Sequence, residues 1–91
     1  MDELIVGRIV SVDDHPGARA PSYLLRVDLG ARGEREAQME PGDYAKDELV
    51  GAQVVVSLAE DEAIVVAARS HSSGPVLLRP DREVEPGTVV A

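Results

Sequence analysis

Leu4-Ile5-Val6-Gly7-Arg8-Ile9-Val10-Ser11-Val12 is the stretch that decides the fold. Leu4, Val6, Val10 and Val12 share one parity, and Ile5 and Ile9 take the other. Side chains alternate across a strand, so this segment is apolar on both faces. Gly7 sits inside it. An internal glycine in such a strand predicts a bulged, bent strand of the kind a small barrel needs to turn a corner.

Working outward, 22–30 carries Tyr23, Leu25, Val27 and Leu29 on one face, with Arg26 and Asp28 on the other. Period two predicts a half-buried strand. Between them, His15-Pro16-Gly17-Ala18-Arg19-Ala20-Pro21 reads as a loop. Gly30-Ala31-Arg32-Gly33 predicts a hairpin turn into a strand over 34–39, and Glu40-Pro41-Gly42-Asp43 a further turn. Tyr44 to Val50 predicts a turn or two of helix, with Asp43 as N-cap and Gly51 just past its end. Segment 52–58 reads as a strand. Ala63-Ile64-Val65-Val66-Ala67-Ala68 reads as a buried strand, entered through a tight connection at Asp61-Glu62. His71 to Gly74 is a turn, Val76 to Leu78 a short strand and Pro80 to Gly87 a polar connection. Thr88-Val89-Val90 is a final pairing segment. Short strands, regular turns and one short helix predict an all-β small barrel, with a two-sheet sandwich as the alternative on pattern alone.

The 91 residues are expected to form one domain, 1–91. Such a small core favours oligomerisation, which adds apolar burial. With no cysteine, a disulfide framework, a thiolate zinc site and a Cys nucleophile are excluded. No apolar run approaches the ~20 residues of a membrane helix. The acidic start, Met1-Asp2-Glu3, does not read as a signal peptide. A cytoplasmic location and no membrane association are expected. Seventeen Asp and Glu oppose nine Lys and Arg, for a net charge of −8. Lys46 is the one lysine, Tyr23 and Tyr44 are the only aromatics, and Phe and Trp are absent. Either a salt-rich host or GC-rich coding accounts for that composition. In both cases the net charge opposes nonspecific binding to nucleic acid.

With the elements placed, the ordered residues resemble the tRNA-binding domain family of the CsaA type. Val6-Gly7-Arg8-Ile9-Val10, then Val12-Asp13-Asp14-His15-Pro16, Ala18-Arg19, Pro21 and Tyr23 resemble the family's first strand, His-Pro loop and entry to the second strand. Val27-Asp28-Leu29-Gly30 resembles the second strand and its hairpin glycine. Ala37-Gln38 is similar to the family's Ser-Ala-Gln-Ile segment. Tyr44, Glu48-Leu49-Val50-Gly51 and Gln53-Val54-Val55 follow in order, then Val76-Leu77-Leu78, Pro80-Asp81, Val84, Pro86-Gly87 and Val89. The resemblance implies a five-stranded OB-type barrel with one short helix, usually a homodimer, that binds tRNA or other structured RNA by shape. It implies no enzyme activity and no cofactor. Chaperone-like binding of unfolded peptide or a protein partner is the alternative.

The departures fall on the binding side. The family's long loop between the fourth and fifth strands is nearly all missing; Leu58 leads through Ala59-Glu60 to Asp61-Glu62. Its serine is Asp61 here, and a basic residue of its first loop is Ala20. Phosphate contacts run on Lys and Arg, and single-stranded bases stack on aromatic platforms. Both are scarce here.

Arg8, Arg19, Arg32, Arg35 and Arg69 are candidates for a basic strip, against the alternative of surface arginines paired with the many carboxylates. Arg8, Arg19, Arg35 and Gln38 are the expected RNA contacts. Tyr23, on the apolar parity of its strand, is expected to pack in the core, and Tyr44 before the short helix. His15 and His71 lack metal-ligand spacing, and His15 is assigned a structural place at the loop edge. Ser70, Ser72 and Ser73 beside His71 lack the oriented acid of a triad. Glu60-Asp61-Glu62 reads as a charged turn, and no phosphate-loop pattern is present.

Overall fold

The computed structural model describes residues 3–60 and 62–90. Asp61, part of the acidic connection, lies outside the described residues. The strands are β1 (Glu3–Asp14), β2 (Tyr23–Asp28), β3 (Glu34–Met39), β4 (Gln53–Leu58), β5 (Ala63–Val65), β6 (Ala67–Ser70) and β7 (Gly74–Leu77). The one helix, α1, spans Lys46–Leu49. Five strands close a barrel in the order β1-β2-β3-β5-β4, and β6 and β7 form a separate hairpin. All barrel pairs are antiparallel except β3 with β5, which run parallel. This is the OB-type barrel, all-β with one short helix.

The long first strand bends as its composition requires. Its register to β2 slips between Ile9 and Ser11, leaving Val10 as the extra residue of a bulge. Before the bulge, Ile5 and Ile9 are buried; beyond it the parity flips, and Val12 packs against the core while Val10 is exposed. Both apolar parities are thereby used on one strand. A Cβ on Gly7 would lie 2.4 Å from Val27 Cγ1 and 2.8 Å from Leu29 Cδ2, so only glycine fits there. The core gathers Ile9, Leu25, Val27, Leu29, Leu49, Val54 and Val56, all at or below 1% exposure. Tyr23 packs beside it and donates its hydroxyl to Tyr44 O at 2.8 Å; the Tyr44 hydroxyl accepts from Leu77 N at 3.0 Å.

Two local expectations are corrected. The run 63–68 is not one buried strand. It breaks at Val66, whose N–H bonds to Val55 O at 2.9 Å, and Ile64, Ala67 and Ala68 are exposed. The physical reason is a competitor: Leu78 O accepts from Val55 N at 3.1 Å, so the returning chain takes the next place on the β4 edge. Asp43 is not the helix cap. Ala45 holds the cap position, its N–H donating to Glu48 Oε1 at 2.7 Å, while Pro41 to Tyr44 close a turn through Tyr44 N to Pro41 O at 3.0 Å. Gly51 does follow the helix, with φ +88°.

From Leu78 onward the chain forms a strap. It leaves the β4 edge, crosses β4 and β1, and pairs along the far edge of β1. There Gly87 N donates to Val6 O at 2.7 Å, Val6 N to Thr88 O at 2.8 Å and Val90 N to Leu4 O at 2.9 Å. Val6 and Val55 face away from the barrel interior, yet are only 4% and 9% exposed beneath it. At the crossing, backbone meets backbone. A Cβ on Gly30 would lie 2.2 Å from Pro86 O, and one on Gly87 2.6 Å from Leu29 O.

Candidate nucleic-acid interface

The structure divides the four expected contact residues among three places. Arg35 and Gln38 border one groove, although their odd spacing gives them opposite faces of the strand, Arg35 with buried Ala37 and Met39 and Gln38 with exposed Glu36. Both lie on β3, and with Glu36, Glu62, Ala63 and Ile64 they line a groove of about 530 Å³ along the seam with β5. Gln38 stands in register with Ile64, which is 50% exposed. Outward neighbours in register share a face, so an amide and an apolar side chain sit side by side there. Arg35 is half-buried and makes no ion pair among the described residues.

Arg19 lies elsewhere. It is exposed in the loop between β1 and β2, beside a hollow of about 480 Å³ lined also by His15, Pro21, Tyr23 and Pro41. That loop enters β2 at Tyr23, opposite Met39 at the far end of β3, whereas Arg35 stands opposite Val27. His15 holds the loop through His15 N to Ser22 O at 3.0 Å, and its Nδ1 is buried without a partner among the described residues. Arg8 is at a third place. Its guanidinium donates to Gly51 O at 2.9 Å and pairs with Glu83 of the strap.

A single basic strip does not form. Arg32 pairs with Glu3, Arg69 with Glu40 at 3.2 Å, Arg26 with Glu34 at 3.7 Å and Lys46 with Asp14 at 2.9 Å. Hydrogen bonding to Arg32 holds the Glu3 carboxyl below its ordinary value, and hydrogen bonding to Asp14 raises Lys46. Exposed pairs of this kind contribute little to stability, but they neutralise cations that phosphate would need. Among the described residues, Arg19, Arg35 and Arg79 alone make no ion pair. Two of these three are residues singled out from the sequence.

Sequence reasoning missed Arg79 and Arg82. They sit in the polar connection after Leu78, and the crossing of the strap brings them beside Arg8. The local signal was Arg79-Pro80-Asp81-Arg82, which carries no period and names no partner. Among the described residues, no group of three or more His, Asp or Glu is placed to hold a metal ion. Nor is any helix there long and apolar enough to cross a membrane.

A closed five-stranded OB-type barrel with a polar groove on its β3 side defines the class: small oligonucleotide-binding-type barrels. Comparison with known proteins narrows it. No family model matches the chain. The chain is 33% identical over 94 aligned positions to the methionine–tRNA ligase of Thermococcus onnurineus, covering 93% of this chain. It spans 13% of the length of that enzyme. The CsaA chaperone protein of Picrophilus torridus superposes with a TM-score of 0.91 at 28% identity, over 99% of this chain and 92% of that one. The chaperone CsaA of Bacillus anthracis superposes with a TM-score of 0.86 at 23% identity, over 99% and 91% of the two chains, a likeness of fold. The chain thus resembles the CsaA-like tRNA-binding domains along its whole length.

Proposed function

We propose that residues 1–91 act as a single non-catalytic OB module that binds tRNA or other structured RNA, as a cytoplasmic homodimer and without a cofactor. The observation that carries this reading is the β3–β5 groove, bordered by both Gln38 and unpaired Arg35, on a barrel like those above. Gln38 offers both a donor and an acceptor to a ribose or base edge. Arg35 offers a planar, bidentate donor to phosphate. Arg19 adds a second unpaired cation at the other end of β3. Ile64 supplies the apolar contact that aromatic residues supply elsewhere. Glu36 and Glu62 line the same groove, so its affinity rests on hydrogen bonds and shape as much as on charge.

A second reading, a chaperone-like module for unfolded peptide or a protein partner, draws on a different observation. Leu4, Ser57 and Ile64 stand in one cross-strand row facing outward, and Leu4 and Ile64 are 38% and 50% exposed. Both solved CsaA relatives are described as chaperones.

The test is fluorescence anisotropy of labelled bulk tRNA titrated with the protein across a KCl series, alongside the oligomeric state. Saturable binding that weakens with salt is the expected result. A folded protein that leaves tRNA free at every salt concentration overturns the RNA reading and directs attention to peptides.

A further inference from the structure

Arg8, Arg79 and Arg82 line one depression of about 270 Å³, floored by Gly51 and Gln53 and closed by Pro80, Asp81 and Glu83. Three arginines face two carboxylates there. The β3–β5 groove, by contrast, sets one arginine against Glu36 and Glu62. On a chain of net charge −8, this is a local reversal of sign. Such a reversal focuses field toward anions that the rest of the surface repels.

We infer that this strap depression is a phosphate-binding subsite, taking the phosphodiester backbone of RNA. The inference rests on the RNA reading for its natural ligand, but not for its chemistry. Three features support it. The Arg79 guanidinium has no ion-pair partner among the described residues. Arg8 is held in place from behind by Gly51 O at 2.9 Å, which leaves its orientation fixed before any ligand arrives. The two carboxylates that accompany the arginines are surface groups, with Glu83 and Asp81 side chains 70% and 90% exposed. Exposed ion pairs contribute little, so a doubly bonded phosphate displaces them at small cost.

The site also follows from the fold. Arg79 and Arg82 lie some seventy positions from Arg8 in the sequence. They meet because the strap must cross β4 and β1 to reach the far edge of β1. Two hydrogen bonds between the Gln53 side chain and the Val84 backbone, at 2.6 and 3.0 Å, hold the strap where neighbouring Glu83 and Arg82 lie beside Arg8.

Two measurements test the inference on the intact chain. In the first, inorganic pyrophosphate is titrated at low salt and followed by ¹H–¹⁵N NMR. Saturable shifts are expected at the Arg8, Arg79 and Arg82 Nε–H groups and the Gly51 and Gln53 amides. Those at Arg8, Gly51 and Gln53, the groups the variant retains, should be absent from the double variant Arg79→Ala/Arg82→Ala. Shifts that are missing in the wild type, or that persist in the variant, overturn the subsite. In the second, the double variant is compared with wild type for tRNA binding across the KCl series. The slope of log K against log [KCl] is expected to flatten by about one for each phosphate that the variant no longer neutralises. An unchanged affinity and slope, with wild-type tRNA binding intact, removes the subsite and leaves the RNA reading standing. Pyrophosphate shifts without any tRNA binding leave the subsite standing, assign it to small phosphate esters and remove the RNA reading.

Discussion

The side chain of Gln53 and the backbone of Val84 bind each other twice. Nε2 donates to Val84 O at 2.6 Å, and Val84 N donates to Oε1 at 3.0 Å. Gln53 is the one buried polar side chain among the described residues, at 8% exposure. A primary amide satisfies a peptide group completely in this geometry, which is why a polar residue is tolerated beneath the strap. It cross-links two segments 31 positions apart.

Gln53→Ala therefore leaves a shielded N–H and C=O without partners. The expected loss is about 1–3 kcal/mol in chemical denaturation. The strap should also exchange its amide hydrogens faster than β2 and β3 do. Equal protection of Val84 and Val90 in variant and wild type would show that the clasp does not hold the strap.

Gly30 and Gly87 meet where the strap crosses the turn after β2. Both carry positive φ, +65° and +93°, and neither has room for a Cβ against the opposing backbone oxygen. Gly30→Ala is expected to lower stability by more than ~1 kcal/mol, since strain and collision act together. Gly17→Ala is the control. Nothing lies within 4 Å of its added Cβ, and a change within ~0.5 kcal/mol is expected in the same thermal melts.

Arg35→Glu and Arg19→Glu should each weaken tRNA binding, because each removes an unpaired cation and adds a carboxylate. Arg26→Glu is the matched comparison. Arg26 already pairs with Glu34 at 3.7 Å and lies outside the groove, so its effect should be smaller. Binding data that rank Arg26 with or above Arg35 would remove the groove assignment.

Acid should act through Glu3. Its carboxyl is held below the ordinary 4.5 by the hydrogen bond from Arg32. A carboxyl with a lowered folded-state value contributes stability above its unfolded value, and loses it as pH falls through the folded value. The melting temperature of wild type should therefore exceed that of Glu3→Gln above pH 4.5, and the gap should close in more acidic buffer. A gap that widens on acidification would show that the pair is not formed.

The barrel was legible because its strands alternate or are apolar throughout. The period-two pattern from Tyr23 to Leu29 is that of β2, and the doubly apolar 4–12 with Gly7 is the bulged β1. What escaped was decided between segments rather than within them. Ala63 to Ala68 is apolar at every position, yet only its first half pairs within the barrel; Leu78 claims the remaining place on β4, and Ala67 and Ala68 pair with β7 instead. Residues 78–90 look like a polar connection, and their path shows only once Gln53 and the β1 edge exist to receive them. The candidate site was half legible for the same reason. Arg35 and Gln38 lie on one strand beside one groove, whereas Arg8 and Arg79 meet only through the strap.

The barrel closes along a short seam. β3 and β5 are joined through Ala37 with Ala63 and Gln38 with Ile64, while β1 with β4 and β2 with β3 each run in register over six pairs. The candidate groove lies along that seam. A ligand bridging Gln38 and Ile64 would add a rung where the barrel is least stitched. A ligand bound there would favour the closed barrel by mass action, so stability should rise with its concentration.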